Sequence, residues 1–117
     1  MADKVNPIRI TDKKIGKVYE LDFSRESVIF AEDRGFKLSD ISEFPVSKIP
    51  EFFYYAFRKN HREVSRGQVN ALFDRLHGVS AEFIERLVGL YNQAALSNTV
   101  ADSTEDMGKN GEMEVEL

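Results

Sequence analysis

All thirteen aromatic rings of this 117-residue chain fall between Tyr19 and Tyr91, and five of them crowd into Phe52-Phe53-Tyr54-Tyr55-Ala56-Phe57. Aromatic side chains dominate apolar burial, so the core has to be built inside that stretch and around that run. Phe52, Phe53, Ala56 and Phe57 keep to one helical face, and Tyr54 and Tyr55 widen it. A helix that is apolar over most of its circumference is either central to a domain or lies in an interface, and the sequence leaves both readings open. The interface reading selects Phe52, Tyr54, Tyr55, Arg58, Arg62 and Tyr91 as candidate partner-binding residues. Tyrosine suits that role because it offers apolar area with a polar tip.

The flanking patterns supply the other elements. Ile8 and Ile10 alternate with Arg9 and Thr11, and Tyr19, Leu21 and Phe23 alternate with polar neighbours, with Gly16 in the turn between them. That period of two predicts a β-hairpin over residues 7–23 with one buried face. A lone hairpin is marginal in water, so it must lie on helices. Ser24 caps a helix over about 25–34, which Gly35 stops and Phe36 packs back upon. Leu38 and Ile41 bracket a short turn, and Pro45 and Pro50 punctuate a connection. A second helix is expected over 50–62, opening on Pro50 because a first-turn residue needs no N–H. Ser65 and Gln68 form a capping box for a third over 66–77, and Ser80 caps a fourth over 81–96. Gly89 sits inside that last helix, which signals either close approach of another segment or simple tolerance.

Residues 97–117 differ from the rest: six acidic residues stand against one lysine, and there is no aromatic. The whole chain carries −4, so the body is nearly neutral. Such a segment buries too little to offset its ordering entropy, and a disordered acidic tail is expected. The predicted fold is therefore α+β, mainly α: a single domain over 1–96, in which the N-terminal hairpin packs on a bundle of about four helices, followed by that tail.

Chemistry-bearing motifs are sparse. The absence of cysteine excludes disulfides, cysteine zinc sites and cysteine nucleophiles. The two histidines, His61 and His77, read as surface or helix-end residues, and neither belongs to a metal-binding pattern. Ser24, Ser65 and Ser80 read as caps. No phosphate-cradling glycine motif is present, so no catalytic residue, metal or cofactor is expected and the chain reads as non-enzymatic. No run of about 18 apolar residues exists to span a membrane, and no apolar signal core follows Met1-Ala2-Asp3-Lys4. A soluble, intracellular chain is expected. Arg58, Lys59, His61, Arg62 and Arg66 form a basic cluster. A helix-turn-helix reading of the last two helices is disfavoured, because the second opens with Glu82 and Glu85, which would repel a duplex.

The ordered set of features resembles a known family. A hairpin ends in Tyr19-Glu20-Leu21-Asp22-Phe23-Ser24-Arg25, and a helix closes on Gly35-Phe36. A proline-bearing connection over 45–50 leads into the aromatic run and His61, and the last helix carries Leu90-Tyr91-Asn92. Over residues 8–96 the chain is similar to the small tail assembly chaperones of long-tailed, siphovirus-like bacteriophages and of Gram-positive prophages. The resemblance implies a protein of the host cytoplasm that acts during tail construction and is absent from the mature virion. Its partners would be the tape-measure protein, which it keeps soluble, and the major tail (tube) protein, which it helps recruit; self-association is a further expectation. No nucleotide, metal or membrane is implied. The alternatives are a prophage-encoded helical adaptor or regulator and a small DNA-binding protein.

Overall fold

In the hairpin, Ile8 faces Leu21 and Ile10 faces Tyr19 across β1 (Ile8–Asp12) and β2 (Lys17–Leu21), and all four side chains are buried. The loop between them closes on Asp12. Its carbonyl accepts the Gly16 N–H at 2.8 Å, and its Oδ1 accepts the Lys14 N–H at 3.1 Å. Gly16 has φ +71°, a conformation that costs glycine nothing. The computed structural model describes residues 4–96, 106–109 and 113–117.

Among the described residues five helices follow: α1 (Arg25–Asp33), α2 (Asp40–Glu43), α3 (Pro45–Tyr55), α4 (Arg66–Leu76) and α5 (Ala81–Leu96). The fold is α+β and mainly helical, as the patterns require. All three expected caps form: Ser24 with Ser27, and Ser65 with Gln68, exchange side chain and backbone bonds reciprocally, and Ser80 Oγ accepts the Phe83 N–H at 3.0 Å. After α1, Gly35 takes φ +84° and Phe36 N–H returns to the Ala31 carbonyl at 3.1 Å, which buries the Phe36 ring.

The second long helix differs from expectation. It begins at Pro45 rather than Pro50, and ends at Tyr55 rather than Arg62. Pro45 occupies the first turn, and Pro50 lies inside the helix. The acceptor that Pro50 leaves without a backbone donor belongs to Val46, which is 90% exposed, so the missing bond falls in a turn open to solvent. Beyond Tyr55 the chain runs on in tight turns, with Arg58 N–H to the Tyr55 carbonyl and His61 N–H to the Phe57 carbonyl.

The rings of α3 reach in every direction because other elements surround it. Phe52 stacks on Phe23 and Phe36, with centroids 5.4 and 5.2 Å away, and Tyr91 of α5 meets its edge. Phe53 meets Phe73 of α4 and Phe83 of α5, and Phe57 meets Tyr19 on the sheet. Central position, not an interface, explains most of the aromatic run. Gly89 of α5 proves to be a site of close approach. A Cβ there would lie 3.1 Å from Val5, and Gln93 clasps Val5 by two hydrogen bonds.

The chain returns to the sheet at its far end. β3 (Asp106–Lys109) and β4 (Met113–Glu116) extend it to the order β2-β1-β4-β3, with β4 antiparallel to β1 and Ile10 opposite Val115. Met113, Val115 and Leu117 are buried on the inner face. The expectation of disorder is thereby corrected for 106–109 and 113–117; for 97–105 and 110–112 it lies outside the described residues. The reason is the pairing with β1, which supplies both the backbone partners and the apolar surface that the segment lacks alone.

Candidate functional site

Six residues were candidates for partner binding, and the structure separates them. Phe52, Tyr55 and Tyr91 are buried, so the expectation that they present surface to a partner is corrected. Each is held by the packing around α3: Phe52 is stacked between rings, Tyr91 meets rings edge-on, and the Tyr55 hydroxyl donates to Glu51 Oε2 at 2.6 Å. Burial first, and then that bond to Glu51, pushes the Tyr55 hydroxyl well above the ordinary phenol range. Tyr91 also floors an open depression of about 410 Å³ rimmed by Glu32, Phe36, Lys37 and Leu38.

Tyr54, Arg58 and Arg62 do reach the surface, and they reach it together. They are spaced four apart, and the turns after α3 keep them on one side. Facing them is a stripe of α1 with the same spacing: Glu26, Phe30 and Arg34. The Arg58 guanidinium lies 4.0 Å from the Phe30 ring centre, and Arg34 lies 3.5 Å from the same centre. Arg66, at the start of α4, stands 4.9 Å over the Tyr54 ring. Phe30 and Tyr54 both abut Tyr55, which joins the two halves of the platform.

The charge on this face is one-sided. Arg58 Nη2 is 3.9 Å from Glu26 Oε2, and Arg62 bonds the other oxygen of the same carboxylate. Neither Arg34 nor Arg66 is paired with a carboxylate among the described residues. Glu51 is engaged elsewhere, by Tyr55 and by Lys48. Arg58 Nε is buried without a hydrogen-bond partner among the described residues. Arg58 and Arg62 thus share one carboxylate, while Arg34 and Arg58 lie over the Phe30 ring and Arg66 over the Tyr54 ring. Stacking on a ring fixes the guanidinium plane while leaving N–H edges to point outward.

The remainder of the basic cluster seen in the sequence is structural. Lys59 bonds Asp22 at 2.6 Å, and Asn60 donates to the Glu20 carbonyl. His61 is partly buried, not a plain surface residue. Its Nε2 accepts the Glu20 N–H at 2.9 Å, which leaves Nδ1 to carry the proton. Asn60 and His61 thereby cover backbone groups on the outer edge of β2 that would otherwise be open. Among the described residues no three His, Cys, Asp or Glu side chains gather as a metal site, and no helix is long and apolar enough to cross a membrane.

A family model described as a domain of unknown function, DUF5055, matches residues 1–117. The chain belongs to that family. No curated protein matches the chain, and no solved structure does. In this DUF5055 domain, Tyr54, Arg58 and Arg62 are the candidates from the sequence that reach the surface, and Glu26, Phe30, Arg34 and Arg66 are the residues the fold sets beside them. The signal for the α1 stripe was present as a spacing of four, but its meeting with the end of α3 is a tertiary fact.

Proposed function

We propose that this DUF5055 protein is a non-enzymatic tail assembly chaperone of a long-tailed bacteriophage or Gram-positive prophage. It binds the tape-measure protein in the host cytoplasm, keeps it soluble, helps recruit tail-tube subunits, and leaves before the virion is complete. The observation that carries this reading is the arginine and aromatic face made by Glu26, Phe30, Arg34, Tyr54, Arg58, Arg62 and Arg66. Stacked guanidinium groups over partly exposed rings are the chemistry enriched where proteins meet proteins. The ordered elements of residues 8–96, similar to those of such chaperones, supply the rest of the support. A tape-measure protein is long and largely helical, and it exposes apolar stripes until the tube encloses it. Many copies, each bound modestly, would cover it and still yield to tube subunits.

The test is co-expression with a tape-measure protein from the same genome. That protein is expected to stay soluble and to co-purify with this chain only when this chain is present. If it is equally soluble alone and does not co-purify, the proposal fails.

A further inference from the structure

We infer that the arginine and aromatic face takes a carboxylate-bearing segment of a partner protein, one in which acidic side chains flank an apolar one, and that Glu26 holds part of the site until the partner displaces it. The inference rests on reading this face as protein-binding, though not on the partner being the tape-measure protein.

Charge complementarity carries the argument. Arg34 and Arg58 lie over Phe30 and Arg66 over Tyr54, and Glu26 is the carboxylate that meets Arg58 and, beside it, Arg62. A guanidinium fork matches a carboxylate with two parallel N–H bonds. Arg34 and Arg66 are exposed and lie over ring faces without an acidic partner among the described residues; Arg34 Nη1 donates to the Phe30 carbonyl at 3.2 Å. Between them lie the partly buried rings of Phe30 and Tyr54, which offer apolar area to a side chain placed between two acids. Glu26, Phe30 and Arg34 recur at helical spacing along α1, and Arg58, Arg62 and Arg66 recur every four positions through the turns opposite, so acidic side chains one turn apart on a partner helix can reach more than one arginine.

A nucleic-acid duplex is the poorer occupant. It carries a phosphate charge about every 1.7 Å along its axis and needs a broad basic surface. Here Glu26 sits inside the face, Glu32 and Asp33 continue α1, Glu63 follows Arg62, and the whole chain is acidic at −4. Discrete carboxylates can be placed between those groups, whereas a continuous polyanion meets them.

The role of Glu26 gives the inference a signature that a structural ion pair lacks. If it competes with the guest, its neutralisation frees Arg58 and Arg62 and strengthens binding. The experiment uses the full chain and a fluorescein-labelled helical peptide with Glu at every fourth position beside Leu. The controls are the same peptide with Gln for each Glu, and a 20-base-pair DNA duplex. The acidic peptide is expected to bind at least about tenfold more tightly than the Gln peptide. R34E/R66E should weaken it about tenfold, and E26Q should tighten it several-fold. Because Arg34 and Arg66 are exposed and unpaired with acids, R34E/R66E should melt as the parent does; should it not fold, R34Q/R66Q gives the same ordering. Absent or Glu-independent binding overturns the inference, as does indifference to E26Q and to the arginine changes. Duplex binding that is tighter and equally arginine-dependent also overturns it. Loss of tape-measure co-purification with peptide binding intact would defeat the chaperone reading alone.

Discussion

Asp12 is the residue whose chemistry is least expected from its place. It lies on the inner face of the hairpin, 1% exposed, where its strand neighbours Ile8 and Ile10 are apolar. Arg75 of α4 meets it with both nitrogens, at 2.7 and 2.8 Å. That bidentate bond holds the Asp12 carboxyl below the usual carboxylate range; burial opposes the shift, and the Lys14 N–H adds to it. A depressed folded pKa means that the stabilisation is complete above the unfolded value, about 4, and is lost as pH falls through the folded value below it. Asp12→Asn should cost about 1–3 kcal/mol at neutral pH, measured by urea denaturation. It should also flatten the fall in stability below about pH 4; an unchanged acid limb would refute this role.

Tyr19, Tyr55 and Tyr91 make the matching case at high pH. Burial is the largest cause that raises each, so their contribution is complete below the unfolded tyrosine value, about 10, and fails as pH rises beyond it. Tyrosinate absorbance from these three is expected to appear together with unfolding, not before it. None of this was legible beforehand. Asp12 opens the turn after β1, and its acceptor role toward Arg75 spans 63 positions of chain.

At the level of elements, α5 carries a testable tension. Ala in place of Gly89 would favour the helix by about 1 kcal/mol, yet the added carbon would press on Val5 at 3.1 Å. Gly89→Ala is therefore expected to stabilise the domain by about 1 kcal/mol in a Val5→Ala background and by less in the parent. Equal gains in both, read by thermal melts, would show that Val5 does not limit the site. The hairpin and α1, α4 and α5 were legible because local period, cap and stop agree in each. The start of α3 was not, since Pro45 and Pro50 are both acceptable in a first turn and only the fold selects the earlier one. β4 was hidden differently. Met113, Val115 and Leu117 alternate with Glu114 and Glu116 at a strand's period of two, but three apolar residues in an acidic stretch have no reason to order until β1 lies beside them. The candidate face was half legible for a similar reason: the α3 side could be read along the chain, and the α1 side needed the packing.

For the whole molecule, β4 is what ties the two ends together. Burying Met113, Val115 and Leu117 contributes about 1.5–3 kcal/mol each as an upper bound, against the ordering of the strand that carries them. Val115→Asp, which would place an unpaired charge against Ile10, should destabilise the domain by about 3 kcal/mol or more. Shortening the chain to residue 112 should lower its melting temperature as well. Were both changes silent in a thermal melt, the strand would be no part of the folded body.

Arg9 pairs with Glu116, about a hundred residues downstream. A ribosome making this protein therefore completes every helix before it delivers the strand that closes one flank of β1. Throughout that interval the nascent molecule displays a row of unsatisfied amide and carbonyl groups beside Ile8 and Ile10. Any two chains emerging side by side on one messenger could trade their last strands across that gap.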